Sequence, residues 1–198
     1  GGGGAVGGTN QEKKHRPVGD PVFATSRFYS LAQTLGHVPV ATAALGPVAG
    51  LPAARLVASH FSVMTANAAV LIAGPQVVKR ALGHNLTKDE LGGPQIHLRS
   101  GAIDNLAATE QDALDQVATF LSFVPDNAWQ RPKQIGCSDP VDRCEDVLKS
   151  IVPESSRQPF QMRRIIELVL DRSSNISSFF EIGRQHGPSI ISSLARLN

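Results

Sequence analysis

The sequence predicts an α/β fold in which short buried strands alternate with amphipathic helices, and three stretches carry that prediction. In the first, residues 70–73 form an apolar run of strand length that meets a Gly74-Pro75 break and gives way to a short helix. Pro75 suits the first helical turn, where its missing N–H has no partner in any case, and Gly83 suits the left-handed position after the last turn. In the second, residues 37–45 are extended and apolar and run into Gly46-Pro47-Val48-Ala49-Gly50 at the start of another helix. In the third, Thr109 with Glu110, Gln111 and Asp112 heads a longer amphipathic helix.

Taken in order, residues 1–8 are nearly all glycine, a linker or a backbone that must approach something closely. No Gly-Lys-Ser/Thr follows, which excludes a nucleotide-binding P-loop. Residues 11–19 are polar and basic and read as a loop. Asp20-Pro21 then caps a helix whose Phe28, Leu31, Ala32 and Leu35 share one face and which Gly36 ends. His37 falls at the turn as a surface or capping residue, before the strand over 37–45. Residues 46–54 connect that strand to a helix running through His60. Such a connection points backbone N–H groups outward with the helix dipole behind them. From the residues alone it is either an ordinary βα turn or a cradle for an oxyanion.

Strands follow at 61–64 and 70–73, around Thr65-Ala66-Asn67, and then the helix that Gly83 ends. Thr87-Lys88-Asp89-Glu90 is a capping box for a short helix stopped at Gly92-Gly93, and Ser100-Gly101 reads as a turn. The helix from Thr109 to Pro125 places Ala113, Leu114, Val117, Phe120, Leu121 and Val124 on one broad face. Its acidic first turn is a favourable dipole contact, not a metal site. Residues 126–140 form a polar linker, a helix runs to Asp171, and strands are predicted at 179–182 and 190–197.

Bulk composition narrows the function. A hydrophobic content of 41% in 198 residues allows one large domain or parts of two. The net charge of +2, with basic residues scattered and aromatics few, gives no footprint for nucleic acid. No apolar run is long enough to span a membrane. Cys137 and Cys144 lack metal-site spacing and read as reduced structural thiols. The glycine start without Met and the stop just after an apolar run lead us to expect part of a longer polypeptide.

One forty-residue pattern resembles a known family. Ile72-Ala73-Gly74-Pro75-x-Val77-Val78-Lys79 is followed by Leu91-Gly92-Gly93-x-x-x-His97-x-x-Ser100-Gly101 and an acid-rich helix start. In order and spacing this resembles the carboxyltransferase (β) subunit of biotin-dependent acyl-CoA carboxylases, of the propionyl-CoA and methylcrotonyl-CoA carboxylase type. Asp139-Pro140-x-Asp142-Arg143 and Ile151-Val152-Pro153 resemble the segment between that subunit's two domains.

The resemblance implies a crotonase-like fold, a superhelix of ββα units. Residues 1–126 would be the later part of the N-terminal, acyl-CoA-binding domain. Residues 127–198 would be the linker and the start of the C-terminal, biotin-binding one. The implied reaction moves a carboxyl group from carboxybiotin to the α-carbon of an acyl-CoA through a thioester enolate. It implies no metal and no nucleophilic side chain, only position and backbone donors. Gly50 and Leu51 stand where the family's oxyanion-hole amides lie, and Gly4, Ala5, Gly46, Pro47, Ala49, Gly74, Pro75, Ser100 and Gly101 would contact the substrate. Implied partners are acyl-CoA, a biotin carboxylase or biotin carrier subunit, and further copies in a hexamer-type oligomer. The implied compartment is the mitochondrial matrix in a eukaryote and the cytoplasm otherwise.

The chain departs from the pattern at Val6, where the family has Arg, and at Leu51-Pro52, where it has Gly-Ala. Leucine resists φ > 0, so a position needing such an angle would lose its donor geometry. A non-catalytic relative, serving as a structural or regulatory subunit of a carboxylase complex, is therefore the alternative.

Overall fold

The computed structural model describes residues 27–172, 178–187 and 189–197. The first helix, α1 (Arg27–Leu35), ends at Gly36 as the sequence predicts, and the ring Nδ1 of His37 sits 2.5 Å from the Gln33 carbonyl at that end. The predicted start of this helix, at Asp20-Pro21, lies outside the described residues.

Two consecutive ββα turns follow. β1 (Ala41–Ala44) and β2 (Pro47–Ala49) lead into α2 (Leu51–Val57), and β3 (Phe61–Thr65) and β4 (Ala69–Leu71) lead into α3 (Pro75–Leu82). Within each turn the two strands go to different sheets. β1 and β3 pair in parallel with Ala41 opposite Phe61, while β2 and β4 pair in parallel with Val48 opposite Val70. α4 (Lys88–Gly92) and α5 (Pro94–Ser100) precede β5 (Asn105–Ala107), which completes the order β1-β3-β5. α6 (Glu110–Phe123) lies across that sheet. A 3-10 turn (Asp146–Lys149), α7 (Met162–Val169) and an antiparallel pair, β6 (Phe179–Ile182) and β7 (Ser192–Ala195), follow. No described helix is long and apolar enough to cross a membrane.

β3 shows why its sequence reads as a continuous run: all five of its residues are buried because both faces of the sheet are covered. Its Met64 joins Ala44, Ala53, Leu56, Val70 and Ile103 on one side. Its Phe61 and Val63 meet Ala113 and Phe120 of α6 on the other, together with Phe180, Ile182 and Leu194 of the β6–β7 pair. Phe61 stacks on Phe120 at 5.1 Å and meets Phe180 edge-on at 5.3 Å.

Several boundaries differ from expectation. The stretch 47–49 is a strand, because Gly50 N–H and the β4 backbone continue the ladder. α2 stops at Val57 and not at His60, whose ring Nδ1 instead accepts the Val40 N–H. Residues 94–100 are helical, since Gly93 serves as N-cap, Pro94 begins the first turn and Gly101 closes it at φ 73°. β5 escaped notice because it is short and carries Asn105, whose side chain is satisfied by Gln116, the Glu181 carbonyl and the Gly183 N–H. Leu114 and Leu121 of α6 are 50% and 40% exposed, while Phe123 is buried, because the sheet touches a narrower stripe than the apolar face. α7 ends at Val169, and β7 begins only at Ser192, leaving Ile190 78% exposed.

Arg163 and Glu181 join α7 to β6 through a two-pronged ion pair, with Nε to Oε2 at 2.7 Å and Nη2 to Oε1 at 2.5 Å. The guanidinium hydrogen bonds hold the Glu181 carboxyl below its ordinary range. A depressed carboxylate contributes stability above its unfolded value and loses it as pH falls through the folded one. Glu181→Gln is therefore expected to destabilise the protein near neutral pH. Urea midpoints of variant and parent should converge as the solution is acidified below the carboxylate range.

Candidate functional site

Gly50 is the pivot between β2 and α2. Its φ of 69° and ψ of −135° suit only glycine, and its N–H donates to the Leu71 carbonyl at 3.0 Å. The chain then enters α2 directly, with the Gly50 carbonyl accepting the Ala54 N–H at 3.0 Å. Leu51 and Pro52 occupy the first turn, and no described residue other than glycine has a positive φ. The strain foreseen for Leu51 is thus absent, because Gly50 alone makes the reversal. Pro52 loses nothing either, since an N–H there would have no acceptor within the helix. The same geometry separates the two amides singled out from the sequence. Gly50's is consumed by β4, whereas Leu51 and Ala53, ahead of the first helical hydrogen bond, keep theirs outside the helix ladder.

A cavity of about 880 Å³ opens beside this turn. Gly50, Leu51, Ala53, Ala54 and Val57 form one wall, and Val70, Leu71, Ile72 and Ala73 at the end of β4 form another. Phe28, Val78, Leu91, His97 and Ala102 complete it. Every lining side chain but the His97 imidazole is apolar, and Ile72 is 95% exposed at the rim. The His97 ring Nε2 lies 2.6 Å from the Val70 carbonyl.

Two glycines let α4 and α5 reach this position. A Cβ at Gly92 would stand 2.0 Å from the Val70 carbonyl oxygen, and one at Gly93 would stand 2.6 Å from the Asp89 carbonyl oxygen. The capping box ahead of them forms as read: Thr87 Oγ1 accepts the Glu90 N–H, and the Glu90 carboxylate accepts the Thr87 N–H, which draws its pKa down.

Of the other residues singled out, Gly46, Pro47 and Ala49 border or belong to β2, with Pro47 opposite Ala69 and Ala49 opposite Leu71. Gly74 and Pro75 begin α3 next to the lining Ala73. Gly74 has an ordinary φ of −71° and open space where a Cβ would go. Ser100 and Gly101 close α5 by returning their hydroxyl and N–H to the His97 carbonyl, beside the lining Ala102. Gly4 and Ala5 lie outside the described residues. Sequence reading missed Val57, Val78, Leu91 and His97 as lining residues. His97 stood inside the glycine-bracketed pattern, a signal that was legible but unassigned.

Cys137, Asp139 and Asp171 place ligand-type atoms within 4.8 Å of one another. The Asp139 carboxylate is already engaged, accepting the Arg172 N–H at 2.9 Å and lying 2.9 Å from Arg143 Nη1. Arg143 Nη2 also donates to the carbonyls of Leu168, Val169 and Leu170, the open end of α7. The Asp139-Pro140-x-Asp142-Arg143 pattern therefore ties the coil after α6 to the end of α7.

The carboxyl transferase domain matches residues 6–198. The chain belongs to the carboxyl transferase family. It is 32% identical over 165 residues to a propionyl-CoA carboxylase carboxyltransferase subunit of Haloferax mediterranei, covering 82% of this chain and 31% of that protein. It is equally 32% identical to the mitochondrial propionyl-CoA carboxylase beta chain of Homo sapiens, covering 82% and 30%. Among solved structures it resembles the transcarboxylase 12S hexamer with hydrolysed methylmalonyl-coenzyme A bound, at a TM-score of 0.78 and 28% identity, over 86% of this chain and 33% of that one. The chain spans about a third of the length of these relatives. The carboxyl transferase fold is crotonase-like, and the ββα turns described above are its repeating unit.

Proposed function

We propose that this chain forms the acyl-CoA side of a biotin-dependent acyl-CoA carboxylase, in which a carboxyl group passes to the α-carbon of a short or branched acyl-CoA. One observation carries the reading: an apolar cavity meets the first turn of α2 where the Leu51 N–H lies outside the helix ladder. An acyl thioester in that cavity would set its carbonyl oxygen at the turn. As the α-proton leaves, negative charge grows on that oxygen, and a fixed N–H in an apolar surround favours the enolate over the ground state. Leu51 is the first donor, and Ala53, also outside the ladder, is the next in the turn. The apolar walls exclude water, which would otherwise protonate the enolate before it captures the carboxyl carbon.

Biotin, carried by a partner subunit or domain, would supply the carboxyl group and, left without it, would take up the α-proton. The described residues beyond 127 do not fit a biotin ring by themselves. Arg163 beside the groove of Phe160 and Arg184 is committed to Glu181, and Arg143 is committed to Asp139 and the carbonyls at the end of α7. No step is therefore assigned to that half. Residues 1–126 and 127–198 are read as parts of two domains, the second docked on the first through Phe180, Leu194 and the Arg196 hydrogen bond to the Ser122 carbonyl. The propionyl-CoA carboxylase relatives favour propionyl-CoA as substrate, with methylcrotonyl-CoA left from the sequence resemblance alone. The same reading extends to a hexamer-type assembly like the transcarboxylase 12S one, a biotin carboxylase or carrier partner and, in a eukaryote, a mitochondrial compartment like that of the Homo sapiens relative.

Leu51 and Pro52, marks of a non-catalytic relative in the bare sequence, fit α2 without strain and no longer speak for that alternative. The test is carboxylation of propionyl-CoA by the full-length protein with its biotin-bearing partner, beside the Leu51→Gly/Pro52→Ala variant. Turnover by the parent, changed less than about threefold in the variant, is the expected result, since the donors at positions 51 and 53 are kept in both backbones. A silent parent that the double change revives would overturn the assignment of Leu51.

A further inference from the structure

The His97 imidazole is the one polar side chain in the cavity wall, and its contact with β4 engages only one of its two ring nitrogens. A carbonyl oxygen only accepts, so the contact with Val70 O at 2.6 Å requires the proton on Nε2. In the Nε2–H tautomer Nδ1 carries a lone pair, and it has no partner among the described residues. Gly92 packs α4 against β4, Gly93 turns the chain directly into the ring's helix, and the His97 carbonyl gathers the N–H groups of Gly101 and Ala102 and the Ser100 hydroxyl. The ring is thereby fixed at both its side chain and its backbone. The cavity presents backbone donors at the α2 turn and a single side-chain acceptor at α5.

That polarity matches a thioester followed by an amide. We infer that His97 is a positioning residue for acyl-CoA, its Nδ1 accepting the N–H of the pantetheine amide nearest the sulfur while the thioester oxygen faces Leu51. Held at both points, the acyl group cannot slide along the apolar walls, and its α-carbon stays in one place relative to the α2 turn. This inference rests on the acyl-CoA reading above, and its test separates the two.

The experiment measures binding of propionyl-CoA, and of the analogue whose sulfur-proximal amide is an ester, to the full-length protein by calorimetry. Carboxylation is assayed separately. The parent should bind the amide form about tenfold more tightly than the ester. His97→Phe should bring that ratio to about one while keeping the cooperative unfolding transition, and His97→Gln, which can both donate and accept, should recover part of it. An unchanged ratio in a folded His97→Phe, or equal binding of both compounds by the parent, would overturn the inference. A preserved amide preference without carboxylation would leave His97 in place and remove the carboxyltransferase reading instead. If His97→Phe does not fold, His97→Gln and the parent's ratio decide.

Discussion

Gly92→Ala is expected to destabilise the protein by about 3 kcal/mol or more, at the upper end of what overpacking costs. The new Cβ would lie 2.0 Å from the Val70 carbonyl oxygen, 2.9 Å from its carbon and 2.7 Å from Leu71 Cδ2. Two of those atoms are backbone of a strand paired with β2, so they cannot step aside like the end of a flexible side chain. α4 must lift instead, and α5 follows, breaking the His97–Val70 contact and opening the cavity wall. Urea unfolding of the full-length protein reads the stability loss. Gly74→Ala, which meets nothing within 4 Å at a φ of −71°, should be nearly neutral under the same conditions.

The largest functional effect is expected at Gly50. Gly50→Val forces a β-branched residue to φ 69°, a backbone strain of roughly 1–3 kcal/mol that the chain can relieve by rotating this peptide. Rotation breaks the Gly50 N–H to Leu71 bond and swings the Leu51 N–H out of line. Loss of an aligned oxyanion donor lowers turnover on the order of 10²–10³-fold. Acyl-CoA affinity should fall far less, since the apolar walls remain. Gly83→Ala serves as the control, because Gly83 also has a positive φ, 75°, but lies at the end of α3 and outside the cavity lining. Comparable loss of turnover in both variants would mean that Gly50 matters only for folding.

The parts of this fold that were legible in the sequence are those whose signals are local. Pro75 and Gly83 bracket α3, Thr87 and Glu90 cap α4, and Thr109 starts α6, each through bonds within a few residues. Crowding made α5 unreadable, because Gly93 is at once the C-cap of α4 and the N-cap of α5, and Gly92-Gly93 was read only as a stop. β5 was hidden for another reason. Its Asn105 is buried only because Glu181 and Gly183, far along the chain, supply its partners. The site was legible as a position but not as a bonding pattern. Nothing near Gly50 in sequence says that its amide belongs to Leu71, and nothing near His97 says that its ring belongs to Val70.

Those last two contacts use neighbouring carbonyls of a single three-residue strand. β4 therefore works as a ruler. Its Leu71 carbonyl sets the tilt of the peptide that opens α2, and its Val70 carbonyl sets the ring on the opposite wall. If β4 slipped by one residue against β2, every side chain would change face and both marks would move together. Distance between the two ends of the cavity is thus recorded in strand alignment, not in the side chains that line it. Sequence drift in the apolar lining can reshape what the cavity holds while leaving its span untouched.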